Sequence, residues 1–125
     1  AGFEHFMMKE IHEQPKALQD TLNSVVRDGV IQRFEFTTEL AWKAAREYLL
    51  DQGYTEINSP KAVMRQAYAD GLITDQSGWL KLLEDRNLTS HIYNDATAGE
   101  IFQRIGANHL ALFQALSKQL TGVER

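Results

Sequence analysis

The chain has 125 residues, of which 43% are hydrophobic and 24% charged, and its formal net charge at pH 7 is −4. This size and balance predict one globular domain with one hydrophobic core over residues 1–125. The absence of cysteine excludes disulfides and thiolate metal ligands. No apolar run reaches the roughly 18 residues of a membrane span and no signal core is present, so we expect a cytoplasmic protein without membrane contact.

The first 24 residues carry a pattern of their own. The segment FMMKEIHEQP at residues 6–15 is similar to the one that enters the sugar-isomerase half of glucosamine-fructose-6-phosphate aminotransferases. It includes none of that family's catalytic groups, so no activity carries over. We therefore expect residues 1–24 to be an atypical N-terminal segment, fused or recombined. After Pro15, apolar residues at positions 18, 22 and 25 or 26 recur at helical spacing, so this piece could serve as the first helix of a bundle.

A long helix is predicted over residues 28–52, with Gly53 as its stop. Its apolar residues recur at helical spacing and form one stripe: Val30, Phe34, Ala41, Ala45 and Leu49, widened by Ile31, Trp42 and Tyr48. The aromatic side chains Phe34, Phe36 and Trp42 are more often core or dimer interface in such a helix than a platform for nucleotide bases, and we favour that interpretation.

Two carboxylates of this helix, Glu35 and Glu39, are four positions apart and share a face. Such a pair can bind a metal or share a proton. More often it is a solvated face or pairs with nearby cations such as Arg33 and Lys43, and this second interpretation is the one we favour.

Shorter helices are predicted in the second half of the chain. A serine–proline pair at residues 59–60 is typical of an N-cap followed by proline at the first helical position, and Gly71 ends this helix. Asp75 or Ser77 caps the next helix, whose apolar residues lead into the stretch 84–94. We expect that helix to loosen around residues 91–94.

The last helix starts at Asp95 or Thr97, and Gly106 is a weak position or a close helix contact within it. Its expected core residues are Ile101, Phe102, Ile105, Leu112, Phe113, Leu116 and Leu120. No strand-like alternation of any length is present. These helices predict an all-α fold, an antiparallel (up-and-down) four-helix bundle with an extra short helix.

The stretch EDRNLTSHIYN at residues 84–94 gathers an arginine, a histidine and a tyrosine near an expected helix end. Arginine matches phosphate with a planar fork of donors, and histidine exchanges protons near neutral pH. These groups suit phosphodiester cleavage in RNA, with His91 removing the proton of a 2′-hydroxyl and Arg86 holding the charge that grows on the phosphate. On a regular helix, side chains five positions apart point about 140° away from each other. The side chains of Arg86 and His91 therefore converge only if that of Arg86 extends toward His91, if the helix frays after Ser90, or if a second chain completes the site. The alternative is an exposed arginine followed by a helix-terminal histidine without a catalytic role.

Other catalytic patterns have little support. His5, His12 and His109 lack companions at ligand spacing, so we expect neither a metal site nor a cofactor. Ser90, His91 and Asp85 contain the residue types of a hydrolase triad, but adjacent residues on one helix rarely reach the geometry that such a triad needs.

Two segments resemble one known superfamily. Arg86 and His91 fit the R-x4-H motif of HEPN (higher eukaryotes and prokaryotes nucleotide-binding) domains, and Tyr93 extends it to R-x4-H-x-Y. The stretch RDGVIQRFEFTTELAWK at residues 27–43 is similar to the opening of the long helix in nucleotidyltransferase substrate-binding subunits, the HepT-like branch of that superfamily. The resemblance covers about residues 25–120 and keeps both segments in the family's order.

The resemblance implies a fold, a function and roles for single residues. A HepT-like protein is a helical bundle that partners a minimal nucleotidyltransferase in a toxin–antitoxin pair. By resemblance this chain would be a homodimeric, metal-independent endoribonuclease that leaves a 2′,3′-cyclic phosphate. His91 would be the base, Arg86 would stabilise the transition state and Asn87 would orient the phosphate or Arg86. Tyr93 would be the target of nucleotide transfer by the partner; otherwise it is a half-buried ring with a wet hydroxyl.

Two further interpretations stay open. The chain could be a non-catalytic subunit that binds a nucleotide or substrate for the nucleotidyltransferase, which its net negative charge modestly favours over free-standing ribonuclease activity. It could also be an inactive structural bundle, because a replaced first segment could alter dimer packing while the motif stays intact.

Overall fold

The computed structural model describes residues 15–91 and 95–123, and every regular element in these ranges is helical. The elements are α1 (Pro15–Asp51), α2 (Pro60–Asp70), α3 (Gln76–Thr89), α4 (Asp95–Arg104), a π-helical turn (Ile105–His109) and α5 (Leu110–Val123). Because α4, the π turn and α5 follow one another without a break, the described residues form four helical rods. The prediction of an all-α helical bundle is confirmed.

The short helices begin where side chains satisfy their first backbone N–H groups. At the start of α2, the Ser59 hydroxyl accepts a hydrogen bond from the N–H of Ala62 at 3.2 Å. At the start of α3, the carboxylate of Asp75 accepts one from the N–H of Gly78 at 2.8 Å, so Asp75 rather than Ser77 is the cap. Both residues supply acceptors that the first turn of a helix otherwise lacks.

Glycines end the first two helices. Gly53 and Gly71 adopt φ angles of 97° and 94°, a left-handed conformation in which glycine avoids the clash that a Cβ would cause. After α2, the N–H groups of Gly71 and Leu72 both donate to the carbonyl of Ala67, at 3.1 and 2.9 Å, which satisfies the end of the helix. These compact reversals bring α2 back along α1 and turn the chain into α3.

All four rods contribute to one hydrophobic core. Phe34 of α1 packs with Phe113 of α5 at 6.1 Å between ring centroids, and Trp79 of α3 meets the same Phe113 ring edge-on at 5.7 Å. Each fully buried apolar side chain of this kind contributes about 1.5–3 kcal/mol. Most of the buried residues fall on the predicted stripes: Ile31, Phe34, Ala45 and Leu49 on α1, Val63 and Ala67 on α2, Trp79, Leu82 and Leu83 on α3, and Ile101, Ile105 and Leu116 near the C-terminus.

The N-terminal half of α1 departs from the prediction. Residues 15–24 continue the long helix without a break, so they do not form a separate first helix of the bundle. Leu22, Val25 and Val26 have the helical spacing we expected, yet all three are exposed among the described residues. Val25 and Val26 line an open cavity of about 980 Å³ between α1 and the last rod, and they are not packed in the core. No described helix has the length and apolar character needed to cross a membrane.

The last rod contains a widened turn at Gly106, the position predicted to be weak. The N–H of Leu110 donates to the carbonyl of Ile105, five residues back, as a π turn requires. Side chains five residues apart on an α-helix point about 140° away from each other around the axis. In the wider π turn, side chains with the same separation point in similar directions. Arg104 and His109 lie at the two ends of this turn and consequently face the same side.

Candidate active site

Arg86 lies in the last turn of α3, against the face of α1 that carries the two predicted carboxylates. Its Nη1 is 3.4 Å from Glu35 Oε2, and its Nε is 3.8 Å from Glu39 Oε1. Lys43 lies 3.9 Å from Glu39, as the favoured interpretation of this carboxylate pair expected. The sequence did not indicate the second partner, Arg86, because this residue belongs to α3 and meets the two glutamates only through the packing of α3 on α1. The two glutamates thus anchor the arginine to α1.

Two hydroxyl groups at the end of α3 also hold the Arg86 side chain. Nη1 of Arg86 donates to Thr89 Oγ1 at 3.3 Å and to Ser90 Oγ at 3.5 Å. The Thr89 hydroxyl lies 2.6 Å from the carbonyl of Arg86 and 3.1 Å from Glu35 Oε2, two acceptors that share its single proton. One terminal nitrogen of the guanidinium therefore takes nearly all of the short contacts.

The other edge of the guanidinium is held more loosely. Nε of Arg86 is buried and has no hydrogen-bond partner within residues 15–91 and 95–123, and Glu39 Oε1 lies 3.8 Å from it. The side chain keeps 25% of its surface exposed. Nε and Nη2 together form the side-on pair of donors that binds two oxygens of a phosphate or carboxylate. Arg86 is held tightly at Nη1 and loosely at Nε, and its exposed part remains able to meet an anion.

His91 follows the end of α3 and is exposed. Its N–H donates to the carbonyl of Leu88 at 2.9 Å, in the turn that closes the helix at Thr89. The helix thus ends before His91, as expected. Within the described residues, no hydrogen bond or ion pair joins His91 to Arg86. The two predicted catalytic groups are neighbours along the chain without direct contact in one copy.

The remaining predicted site residues divide between the described and the undescribed parts of the chain. Asn87 is exposed and, with Arg86, lines a cavity of about 240 Å³. Tyr93, the predicted target of nucleotide transfer, lies outside the described residues, so its assignment stays a prediction from the sequence.

Asp85, directly before Arg86, has no exposed surface and is the centre of a buried charged network. Both carboxylate oxygens accept hydrogen bonds from Arg104, from Nε at 2.8 Å and from Nη2 at 2.8 Å. Nε2 of His109 lies 2.7 Å from Oδ2, and Nζ of Lys81 lies 3.8 Å from Oδ1. A buried carboxylate with this set of partners is fully satisfied. It ties α3 to the last rod immediately beside the candidate catalytic arginine.

The π turn explains how Arg104 and His109 reach one carboxylate. They are five positions apart, and an uninterrupted α-helix would direct them to different sides. With the extra residue of the turn, both side chains meet Asp85. His109 also stacks on Phe34, with 5.5 Å between ring centroids. Since its Nδ1 is buried without a hydrogen-bond partner among the described residues, the ring fits best with its proton on Nε2, donated to Asp85.

The network shifts the pKa of Asp85 and of Arg104. Burial raises the pKa of the Asp85 carboxyl, but the hydrogen bonds from Arg104 and His109, together with the charges of Arg104 and Lys81, outweigh it and lower that pKa below its ordinary value. The hydrogen bond to Asp85 raises the pKa of Arg104 in turn. Asp85 is therefore a fixed anion turned away from His91, which removes it from a Ser90-His91-Asp85 triad.

Comparison with known proteins places these features in a family. Residues 5–122 match the family described as nucleotidyltransferase substrate binding protein like. The chain belongs to this family. The match reaches into the first 24 residues, further than the resemblance seen in the sequence. The recognition of a HepT-like member of the HEPN superfamily is confirmed.

Individual relatives agree with the family assignment. A Haemophilus influenzae protein named probable ribonuclease HepT is 35% identical over 99 residues, covering 74% of this chain and 63% of that protein. The present chain thus spans less than two thirds of that relative's length. A crystal structure from Thermus thermophilus superposes with a TM-score of 0.67 at 39% identity, covering 81% of this chain and 82% of the other.

A different kind of match concerns the aminotransferases. The glutamine–fructose-6-phosphate aminotransferase of Symbiobacterium thermophilum is 76% identical over 21 residues, which are 17% of this chain and 3% of the enzyme. So short a match carries neither the fold nor the activity of that enzyme. It leaves the chain's membership of the nucleotidyltransferase substrate-binding family unchanged.

Sequence reasoning missed the buried network next to the motif, although one indication was present. Asp85 lies three positions after Leu82 and six after Trp79, so the helical period that places those residues in the core places this carboxylate there as well. A buried carboxylate requires compensating donors. The identity of those donors depends on the π turn, which helical spacing alone does not reveal.

Proposed function

We propose that this protein is a metal-independent endoribonuclease of the HepT type that cuts single-stranded RNA. The observation that carries the proposal is the partly exposed Arg86, held against α1 by Glu35 and Glu39 and five positions before the exposed His91. This arrangement suits a phosphate on Arg86 and a proton acceptor beside it. The name of the Haemophilus influenzae relative supports the same activity.

The reaction uses the 2′-hydroxyl of the RNA as its nucleophile. His91 takes the proton of that hydroxyl, and the 2′-oxygen forms a bond to phosphorus. The bond from phosphorus to the 5′-oxygen breaks, and that oxygen takes up a proton from a second, protonated histidine. Arg86 holds the charge of the phosphorane, while Asn87 orients the phosphate or the guanidinium. The products are a 2′,3′-cyclic phosphate and a free 5′-hydroxyl.

Because the reaction needs a base and an acid, and one chain supplies one such histidine, we propose a homodimer with a shared cleft. An exposed stripe on α1 supports it. Its members recur at intervals of four and three residues, the spacing of a helix that packs along another helix. We call it the outer stripe: Leu22, Val26, Gly29, Arg33, Phe36 and Leu40, all exposed in one copy.

The outer stripe is self-complementary when two copies of α1 run antiparallel about residue 31. Leu22 then faces Leu40, and Val26 faces Phe36. The small Gly29 faces the long side chain at position 33. A two-fold axis perpendicular to the helices keeps the flank that carries Glu35 on the same side of both copies. Glu35 is four residues from the axis, so the two Arg86 sites would lie about 12 Å apart along the helices.

The dimer has a direct test. Phe36→Glu places a charge in the centre of the proposed interface and should shift a dimer to monomer, as measured by light scattering at about tens of micromolar. Tyr68→Glu is a matched control, because Tyr68 is a similarly exposed ring on α2, outside the outer stripe. A parent protein that is monomeric at that concentration contradicts the shared cleft.

The family name supports a further proposal about control. A minimal nucleotidyltransferase, encoded as the antitoxin of a toxin–antitoxin pair in the cytoplasm, would transfer a nucleotide to Tyr93. The added phosphate would pair with Arg86 and the nucleotide would exclude RNA. Incubation with the nucleotidyltransferase and ATP, followed by intact mass and RNA cleavage, tests this step. Modification that persists in Tyr93→Phe contradicts it.

The ribonuclease activity is tested with purified protein, single-stranded RNA and a chelator. Cleavage should persist with the chelator, and His91→Ala should abolish it. Arg86→Lys should rescue Arg86→Ala poorly, because lysine lacks the planar fork. Lys118→Ala, which removes an exposed cation of α5, is the control. If His91→Ala and Arg86→Ala cut as well as the parent, the activity belongs to a contaminant.

A second candidate is a non-catalytic subunit that holds a nucleotide for the nucleotidyltransferase. Two carboxylates beside Arg86 and a net charge of −4 favour it, since both oppose the binding of a long polyanion. Binding of a nucleotide without cleavage of RNA would favour this function over the first.

A further inference from the structure

A cavity of about 240 Å³ opens beside Arg86, between α1, the start of α2 and the end of α3. Its lining joins cationic, aromatic and amide side chains: Thr38, Glu39, Trp42, Ser59, Pro60, Lys61, Leu83, Arg86 and Asn87. Pockets for drug-sized ligands measure about 300–1,000 Å³. This one is smaller and open, so it suits one unit of a longer ligand that extends beyond it.

The polar wall of the cavity suits a phosphate. Arg86 contributes a partly exposed guanidinium whose Nη1 is engaged by Glu35, Thr89 and Ser90. The exposed Lys61 lies in the first turn of α2 and adds a second positive charge to the lining. A phosphate here would meet two cations and would compete with Glu39, whose Oε1 lies 3.8 Å from Arg86 Nε.

The aromatic wall suits a base. Trp42 is half-buried, and its indole N–H donates to Glu39 Oε2 at 3.2 Å, so the ring is held in one orientation. Nζ of Lys43 lies 5.9 Å from the ring centroid and adds positive charge nearby. Stacking of a base on an aromatic side chain is worth about 1–3 kcal/mol and tolerates any base. A fixed ring loses little conformational entropy when a base stacks on it.

We propose that this cavity is a nucleotide subsite, in which Trp42 stacks the base next to the scissile phosphate while Arg86 and Lys61 hold the phosphate itself. The proposal rests on the proposed ribonuclease function and names the substrate contact of the same site. An acidic peptide would use Arg86 but has no group that requires the indole. A nucleotide uses both walls, and a local contact of this size suits a protein with net negative charge.

Binding is tested separately from cleavage with a short 2′-deoxy oligonucleotide, which lacks the nucleophilic hydroxyl and cannot be cut. The chain has two tryptophans, and Trp79 is buried at 2% exposure in the core. Quenching of tryptophan fluorescence by the oligonucleotide should therefore report Trp42. We expect quenching in the parent and none in Trp42→Phe.

The affinity should follow the same residues. Trp42→Leu should weaken binding of the oligonucleotide by about 5- to 150-fold, and Trp42→Phe by less, because phenylalanine keeps a ring. Lys61→Ala should weaken binding and lower its salt dependence, whereas Lys118→Ala on α5 should leave both unchanged. Anisotropy of labelled oligonucleotide measures these constants, and circular dichroism checks that each variant is folded.

RNA cleavage then distinguishes the subsite from the catalytic proposal. With cleavable RNA, Trp42→Leu should raise KM and leave kcat nearly unchanged. Oligonucleotide binding that depends on Trp42 in a protein that cuts no RNA upholds the subsite and defeats the ribonuclease proposal. Cleavage with KM and binding unchanged in folded Trp42→Leu overturns the subsite. Trp42-dependent binding of AMP alone, without binding of the oligonucleotide, overturns the assignment to RNA.

Discussion

Asp85 and Arg86 are consecutive residues with opposite charges and opposite surroundings. Asp85 is fully buried, its carboxylate makes three hydrogen bonds of 2.7–2.8 Å with Arg104 and His109, and Lys81 lies 3.8 Å away. Arg86 keeps a quarter of its side chain exposed, and its closest carboxylate contacts are longer, at 3.4 and 3.8 Å. We call the network around Asp85 closed, because it is buried and fully hydrogen-bonded, and the one around Arg86 open, because it is partly exposed and its contacts are long.

The difference separates stability from binding. A closed network cannot accept a ligand without breaking hydrogen bonds in the core, so Asp85 serves to fix the end of α3 against the last rod. An open one can exchange a distant carboxylate for a phosphate at small cost. The buried residue therefore positions the backbone from which its neighbour reaches into solvent. Substitutions at the two positions should have different consequences.

The largest effect should come from Asp85→Asn. The substitution keeps the shape of the side chain but leaves Arg104 without its counter-charge and His109 without its anionic acceptor, and breaking a buried pair in this way costs about 3–5 kcal/mol. Urea unfolding followed by circular dichroism measures the loss. Glu84→Gln is the matched control, since Glu84 is the exposed neighbour with a 4.0 Å contact to Lys81. A loss at position 85 no larger than that of the control would show that the network is not what stabilises α3.

Arg86→Ala should reverse the pattern, with a large loss of activity and a small loss of stability. Removing a group that stabilises a developing oxyanion typically lowers kcat by about 10²–10³-fold. Its partly exposed ion pairs with Glu35 and Glu39 should contribute only about 0–1 kcal/mol to folding. Cleavage rates and urea unfolding of the same preparation check both halves. A large loss of stability with unchanged kcat would assign Arg86 to the structure alone.

The same contrast marks what the sequence could predict. Local features were accessible, because a serine, an aspartate and two glycines determine helix ends through contacts within a few residues, as at Ser59 and Gly71. The motif located Arg86 and His91 by residue type and spacing. The partners of Asp85 were not accessible, because Arg104 and His109 converge only through a π turn whose hydrogen bond is invisible in helical periodicity.

The remaining contacts could not be predicted, because they depend on how the helices pack against one another. Glu35 and Glu39 were correctly placed on one face, but which cation that face meets depends on how α3 packs on α1. The apolar spacing after Pro15 was also correct, yet Leu22 is exposed, and Val25 and Val26 line an open cavity beside the last rod instead of packing in the core. Spacing identifies a face of a helix and cannot by itself say what covers it.

Acid should weaken the closed network around Asp85. In the unfolded chain the Asp85 carboxyl has its ordinary pKa of 3.8, and folding lowers that pKa. The stabilisation is complete above about pH 5 and is lost progressively as pH falls toward the lower pKa of the folded state, at no more than about 1.4 kcal/mol per pH unit for one group. Urea unfolding of the parent and Asp85→Asn at decreasing pH measures this. The difference between them should shrink below about pH 4, and a difference that stays constant contradicts the assignment.

The smallest effect should come from Glu39→Gln, which alters only the open side. Glu39 Oε1 lies 3.8 Å from Arg86 Nε, the nitrogen proposed to take a phosphate oxygen, so the carboxylate competes with the ligand. Glutamine keeps an oxygen for the indole N–H of Trp42 while it removes the charge. Since an exposed pair is worth about 0.2–1 kcal/mol, the affinity for a 2′-deoxy oligonucleotide should rise by up to about fivefold. The gain should fade at high salt, because screening weakens the competing charge.

Glu47→Gln, at a more exposed glutamate of α1 paired with Arg46, should change the affinity less. Equal gains in the two variants would reflect net charge alone, and a loss of affinity in Glu39→Gln would mean that the carboxylate holds Arg86 in place for the phosphate instead of competing with it.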